Sequence, residues 1–77
     1  MIDHQKRESL KTVITDMEAY YFGSAGTGVY RFVIEETERI LIEHILFKTG
    51  GNKLKASQIL GINRNTLHSK MKKLGIN

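Results

Sequence analysis

Residues 50–77 read GGNKLKASQILGINRNTLHSKMKKLGIN. The segment is divided by asparagines that stand before a helix-forming run and glycines that stand after one: Asn52, Gly61, Asn63 and Gly75. Asparagine is a preferred residue just before the first turn of a helix, and glycine is preferred where a helix ends in a left-handed conformation. The stretch therefore predicts two short helices, over residues 53–60 and 64–74.

The apolar residues of these two helices are expected to form a common core. Those of the first helix are Ala56, Ile59 and Leu60, and those of the second are Leu67, Met71 and Leu74. Ile62 lies in the turn between the helices and can fill the corner. Two short helices joined by a glycine-containing turn have the outline of a helix-turn-helix, although other helical hairpins share part of that outline.

The outward face of the last helix is polar or cationic. On a wheel of 100° per residue, its centre holds Asn65, His68, Ser69 and Lys72, while Arg64, Thr66 and Lys70 flank the apolar side and Lys73 lies outside. The helix carries no acidic residue. Such a face suits the DNA major groove, whose base edges bond Arg, Lys and Asn and whose rims carry phosphates.

Positive charge is concentrated in this same segment. Residues 50–77 contain six Lys or Arg and no Asp or Glu, whereas residues 1–49 contain six basic and eight acidic side chains. A local basic patch is expected for a protein that binds a polyanion, either nucleic acid or an anionic membrane surface. Charge alone leaves open that the patch is only a solvated surface.

Two longer helices are predicted before this segment. The first covers about residues 3–21, with an apolar stripe at helical spacing that consists of Leu10, Val13, Ile14, Met17 and Tyr21. The glycine-rich stretch GSAGTG, residues 23–28, is expected to end it. A second helix follows over residues 29–48. The fold class is therefore all-α, with four helices in a single domain of 77 residues.

The second helix is predicted to need two packing partners. One apolar face holds Val29, Val33, Ile40 and Phe47, and another holds Ile34, Leu41 and Ile45. The remaining side holds Arg31, Glu35, Arg39 and Glu43, which we interpret as a solvated ladder of alternating charge. Glu36 and His44 lie beside the Ile40 face, either at its rim or bonded to a neighbour, or else at a subunit interface.

The segment GGNKLKASQILGINRNTLHSKMKKLGI resembles the C-terminal helix-turn-helix of the Fis-type family. That family includes the factor for inversion stimulation and the DNA-binding domains of NtrC-type activators of sigma-54 RNA polymerase. The upstream stretch VYRFVIEETERILIEHIL resembles the preceding helix of NtrC-type proteins more loosely, so that the resemblance covers about residues 29–77.

The resemblance implies a homodimer in which the two long helices of each chain intertwine as a four-helix bundle. Residues 1–49 would dimerise, and residues 50–77 would place helix 64–74 in successive major grooves of inverted half-sites on DNA. The interface residues expected on this basis are Leu10, Val13, Ile14, Met17, Tyr21, Val29, Val33 and Ile40. DNA is commonly bent by members of this family.

The resemblance also implies roles for single residues. Arg64 matches the base-reading arginine of the family, and the base-reading set is expected to be Arg64, Asn65, His68 and Ser69. The phosphate-binding set is expected to be Asn52, Lys53, Lys55, Asn63, Thr66, Lys70, Lys72 and Lys73. Leu54 departs from the family's frequent hydroxyl residue, and His68 and Ser69 stand where strong DNA binders often have Arg or Lys. These departures imply weaker nonspecific affinity, and His68 is either a source of pH sensitivity or a solvated surface residue.

We therefore expect a sequence-specific, dimeric domain that binds double-stranded DNA, with no metal and no cofactor. It would serve a sigma-54-dependent activator and meet the polymerase only through an upstream ATPase domain. The chain lacks a counterpart of the inversion factor's N-terminal arm, which argues against a recombination role. The alternatives are a free-standing nucleoid protein that bends DNA with low specificity and a pure dimerisation module.

Other classes of protein fit the sequence poorly. The three histidines lie in three different predicted helices, there is no cysteine, and no serine has a nucleophile-elbow setting, so catalysis is not expected. GSAGTG lacks the Lys-Ser/Thr of a phosphate-binding P-loop. No apolar run approaches the ~20 residues of a membrane span. A cytoplasmic, bacterial regulator is the expectation, with no membrane partner.

Overall fold

The protein consists of four α-helices. In this computed structural model they are α1 (His4–Ala25), α2 (Val29–Lys48), α3 (Lys53–Leu60) and α4 (Arg64–Leu74). The structure describes the backbone of residues 1–77 and the side chains of all of these residues except Ser24 and Ala25. No strand occurs along this described backbone, so the all-α fold class is confirmed.

The ends of α3 and α4 are those that the sequence predicts. The side-chain oxygen of Asn52 accepts a hydrogen bond from the backbone N–H of Lys55 at 3.0 Å, which satisfies one of the amide groups left without a partner at the helix start. Asn63 caps α4 in the same way, through the N–H of Asn65 at 2.7 Å. Gly61 and Gly75 close the two helices in the left-handed conformation.

Helix α1 is longer than predicted. It continues through Gly23 and ends at residue 25, where Gly26 takes the left-handed conformation (φ 72°) and donates its N–H to the carbonyl of Phe22 at 2.9 Å. A glycine inside a helix costs only about 0.5–1 kcal/mol relative to alanine. Gly23 therefore weakens the helix without ending it, and the predicted end near residue 21 was wrong.

The chain divides into two compact units, residues 1–34 and residues 35–77, with the boundary inside α2. The core of the C-terminal unit is built from α2, α3 and α4, and its buried members are Ile42, Ile45, Leu46, Ala56, Leu67, Met71 and Leu74. Leu60, Ile62 and Ile76 pack against this core and are partly buried. The predicted inward positions of α4 and the corner position of Ile62 are thus confirmed.

Two details of the core differ from the prediction. Ile59, expected inside, is 51% exposed, and Ser57 is buried in its place. The inner side of α3 is set by Ala56 and Leu60, and on a wheel of ~100° per residue Ser57 and Ile59 lie about 80° to either side of that row, so the spacing does not decide which of them is buried. The buried Ser57 hydroxyl donates a hydrogen bond to the carbonyl of Leu54 at 2.7 Å.

The face of α2 that packs on this core was only partly predicted. Ile42, Ile45 and Leu46 fill it, at spacings of three and four residues. Ile34 and Leu41, which the prediction grouped with Ile45, are exposed. The sequence contains the spacing that unites the three core residues, but the prediction assigned Ile42 and Leu46 to neither face.

The N-terminal unit buries much less of its apolar surface. The rings of Tyr21 and Phe32 stack with centroids 4.3 Å apart and an interplanar angle of 18°. Leu10, Val13 and Ile14 of α1 are exposed, and Met17 is half-buried. Among the helices that the structure describes, none combines the length and the apolar character needed to span a membrane.

Candidate nucleic-acid interface

The outward face of α4 carries the base-reading candidates. Because Leu67, Met71 and Leu74 point into the core, the polar residues between them point away from it. Asn65, His68 and Ser69 lie on this face, Arg64 lies at its edge in the first turn, and all four are exposed. This side of α4 has the groups that bond base edges in a major groove, and the structure holds none of them in the core.

The first turn of α4 is fixed by its cap. The side-chain oxygen of Asn63 is engaged by the N–H of Asn65, and the backbone carbonyl of Asn63 accepts from Leu67 N at 2.9 Å. Arg64 is the first residue of the helix, so its backbone position is set by the capped turn. A side chain at a fixed helix start has a defined position, which a specific contact with one base pair requires.

A second group of cations lies where α3 begins. Lys53 is the first residue of α3, and it lines one open surface groove together with His68 and Lys72 of α4. Lys55 and Asn52 are exposed nearby in the chain. The structure thus brings one predicted base-reading residue and two predicted phosphate-binding residues to the same groove. Cations that flank a reading face are the arrangement by which phosphates position a protein on DNA.

Two of the predicted phosphate-binding lysines form ion pairs with acidic residues of α2. Lys70 Nζ lies 2.5 Å from Glu38 Oε2, and Lys73 Nζ lies 3.3 Å from Glu35 Oε2. Both acids and Lys70 are half-buried, while Lys73 is more exposed. Lys72, which lies between these lysines in the sequence, has its side chain on the outer surface beside the groove. The three lysines of α4 therefore do not share one environment.

The predicted solvated ladder on α2 is wrong for two of its four members. Arg39 Nη1 donates a hydrogen bond to the carbonyl of Leu74, the last residue of α4. Glu35 pairs with Lys73. Glu35 and Arg39 thus face the end of α4. Sequence spacing within α2 carries no information about a helix that returns some 35 residues later in the chain.

The polar residues beside Ile40 follow the simpler of the two predictions. Glu36 Oε1 lies 3.9 Å from Nε of Arg39, its neighbour one helical turn on, and His44 is exposed. Ile40 is exposed as well. A role for Glu36 and His44 at a subunit interface stays a prediction.

The residues predicted for a dimer interface remain accessible for the most part. Leu10, Val13, Ile14 and Ile40 are exposed, Met17, Tyr21 and Val29 are half-buried, and Val33 is buried. Among the residues whose side chains the structure describes, no cluster of three or more His, Cys, Asp or Glu residues is placed to hold a metal ion.

The fold and this surface define a helix-turn-helix domain whose last helix has a polar outward face and no acidic residue. The family model described as "Bacterial regulatory protein, Fis family" matches residues 33–74, which is more than half of the chain. The chain belongs to that family and is a DNA-binding regulatory domain. No solved structure matches the chain.

Proposed function

We propose that the chain binds double-stranded DNA in a sequence-specific manner, with α4 in the major groove. The observation that carries the proposal is the outward face of α4, where Arg64 opens a helix capped by Asn63. Arginine bonded to guanine through two hydrogen bonds is the commonest specific contact in such complexes. Asn65, His68 and Ser69 would contact neighbouring bases, and Lys53, Lys55 and Lys72 would contact phosphates.

The binding unit is proposed to be a homodimer that reads two inverted half-sites. The support is the exposed apolar stripe of α1 and the exposed Ile40 and Leu41 of α2. A chain of 77 residues buries only about 60% of the surface that its unfolded form exposes, so association with a second copy is a common source of added stability. Two copies related by two-fold symmetry require half-sites about one helical turn apart.

The regulatory role is proposed to be transcriptional activation with sigma-54 RNA polymerase. It rests on the likeness of residues 50–76 to the DNA-binding domains of NtrC-type activators. In such an arrangement this chain binds the specific DNA site, and an ATPase domain elsewhere in the protein contacts the polymerase. The domain itself is proposed to have no catalytic role and to act in the bacterial cytoplasm.

Replacement of Arg64 by alanine tests the reading helix. We expect Arg64→Ala to weaken binding to the preferred duplex by about 1–3 kcal/mol and to remove the preference at one base position. The measurement is a fluorescence-anisotropy titration of the duplex that the chain prefers in a selection from a randomised library, and of each of its single-base variants. Equal weakening on every duplex would show that Arg64 contacts only phosphate.

The matched control is Lys72→Ala, which removes the same unit of charge from the same helix. Because Lys72 lies beside the reading face and is proposed to contact phosphate, its loss is expected to weaken binding to all duplexes alike. The slope of log K against log salt concentration should become shallower by about one unit. An unchanged slope would remove Lys72 from the set of phosphate contacts.

A further inference from the structure

The C-terminal half of α4 is tied to α2 by three polar contacts. Glu35, Glu38 and Arg39 lie at spacings of three and four residues and therefore share one face of α2. They reach, in order, Lys73, Lys70 and the carbonyl of Leu74. All of these residues belong to the C-terminal unit, residues 35–77. We name this set of contacts the α2–α4 clamp.

Lys70 lies on a different side of α4 from the outward face that holds Asn65, His68, Ser69 and Lys72. On a wheel of ~100° per residue, Lys70 lies about 150° around the helix from the centre of the outward face. Its ammonium group is 2.5 Å from the carboxylate of Glu38, and about a third of each side chain is exposed. A lysine held by a carboxylate on the inner flank of α4 is poorly placed to neutralise a phosphate on the outer side.

Arg39 satisfies the end of α4. The carbonyls in the last turn of a helix have no partner within the helix. Here Ile76 N–H bonds Met71 O at 2.8 Å and Gly75 N–H bonds Lys72 O at 3.3 Å, and Arg39 adds a charged donor to Leu74 O. A cation at this end also interacts favourably with the negative end of the helix dipole.

We propose that Glu38 and Lys70, with Glu35 and Arg39, are positioning residues that fix how α4 is presented to the major groove. Lys70 is then removed from the phosphate contacts that the sequence predicts, and Lys53, Lys55 and Lys72 would bind phosphates and release the counterions of the DNA. The inference rests on the proposed DNA-binding function and assigns a different role to lysines of the same helix.

Loss of a positioning contact and loss of a phosphate contact have different consequences for specificity. Hydrogen bonds to base edges weaken steeply when distance and angle change, whereas attraction to phosphates tolerates small rotations. Loosening the clamp should therefore lower the ratio of specific to nonspecific affinity and leave nonspecific affinity at least as high. Loss of a phosphate contact should instead lower both affinities together and reduce the salt slope.

Glu38→Gln tests the first consequence. It removes the carboxylate but keeps the size of the side chain, and exposed or half-exposed ion pairs are weak individually. We expect the specificity ratio to fall about two- to fivefold, with nonspecific affinity unchanged or raised because a negative charge near DNA is lost. A fall in both affinities by the same factor would overturn the proposal. The thermal midpoint of each variant shows whether the chain is folded.

A charge exchange gives a stricter test. Glu38→Lys and Lys70→Glu each place like charges together, and each should lower the specificity ratio about tenfold. The double variant Glu38→Lys, Lys70→Glu restores an ion pair without changing the net charge, and coupled positions of this kind show non-additive effects. We expect the double variant to recover most of the ratio. Binding as poor as that of Lys70→Glu alone would show that Lys70 itself contacts DNA.

Lys70→Gln tests whether Lys70 contacts phosphate even if the charge-exchange variants fail to fold. We expect its salt slope on nonspecific DNA to equal that of the unaltered chain, whereas Lys72→Gln should be shallower by about one unit. Equal slopes for the two variants, both shallower than that of the unaltered chain, would overturn the proposal. If the unaltered chain shows no preference among duplexes, the proposed sequence-specific function itself has failed. That result is distinct from an altered ratio in the variants.

Discussion

The two units of the chain treat their apolar side chains differently. In residues 35–77 the core side chains of α4 are almost completely buried, with Leu67 at 0% exposure. In residues 1–34 the apolar stripe of α1 stays accessible, with Val13 at 55% exposure. Both stripes have helical spacing, and only one of them is covered within this chain. Residues 35–77 therefore complete their own core, whereas α1 is proposed to need a second copy of the chain to cover its apolar stripe.

The difference in burial depends on which other helices of the chain pack against each set of apolar residues. The helices α3 and α4 are joined by a short turn and meet α2 through Ile42, Ile45 and Leu46, so three elements supply one core. Apolar surface left in water costs about 25 cal/mol per Å² relative to burial. Burial of the exposed stripe of α1 would therefore stabilise association, and we propose that a second copy of the chain buries it in the homodimer.

The largest expected effect lies in the covered core. Leu67→Ala should lower the free energy of unfolding by about 2–5 kcal/mol, because Leu67 is fully buried and the cavity left behind cannot be filled by water. Urea denaturation followed by circular dichroism at fixed protein concentration measures the change. Ile59→Ala is the control on the exposed side of α3, where we expect about 0.5 kcal/mol or less. A similar loss for both variants would break the distinction between covered and uncovered apolar residues.

The next effect concerns the uncovered stripe. Ile14→Lys should leave α4 intact but weaken the proposed dimer, at a cost of about 1–2 kcal/mol in each copy from lost burial and an added charge. The dissociation constant of the dimer should rise roughly 30- to 1,000-fold, as measured by sedimentation at several concentrations.

Thr12→Lys provides a matched control for this change. It adds the same charge to the same helix, but residue 12 lies on the side of α1 opposite Ile14, and its hydroxyl bonds the carbonyl of Glu8 in the preceding turn. We expect its association to match that of the unaltered chain. Equal weakening by both lysines would show that charge, rather than the apolar stripe, controls association.

The smallest effect concerns the helix start that places Arg64. Asn63→Ala removes the acceptor of the Asn65 N–H and should cost about 0.5–2 kcal/mol of unfolding free energy. Asn65→Ala keeps that N–H and is expected to cost nothing measurable, since alanine is the better helix former. A cost for Asn65→Ala as large as that for Asn63→Ala would show that the cap does not define the start of α4.

The local features of the C-terminal unit could be predicted from the sequence. The ends of α3 and α4 depend on capping residues that act within three positions of one another, and the inward side of α4 depends on spacing within one helix. Asn52, Asn63 and Leu67 carried enough information for these assignments. The family could be predicted for the same reason, because the residues that identify it lie in one continuous stretch.

The features that were missed depend on distant parts of the chain or on small energy differences. Arg39, predicted to face solvent, bonds the carbonyl of Leu74, and the ion pair of Lys70 with Glu38 was not predicted; each partner lies more than 30 positions away in the chain. Ser57 and Ile59 lie at the two edges of the buried side of α3. A helical wheel does not show which of two such edge residues is buried. The end of α1 was predicted too early because glycine content alone does not show which glycine of GSAGTG takes a positive φ, and Gly26 does so while Gly23 does not.

The central claim is that α4 reads DNA sequence from a two-fold symmetric dimer. The measurement that tests it most directly is a selection, in which the chain is incubated with a randomised duplex library at near-physiological salt and the bound pool is sequenced. We expect two inverted half-sites whose centres lie about one helical turn apart. An A/T-rich pool without half-sites, or a pool with no enrichment, would contradict it.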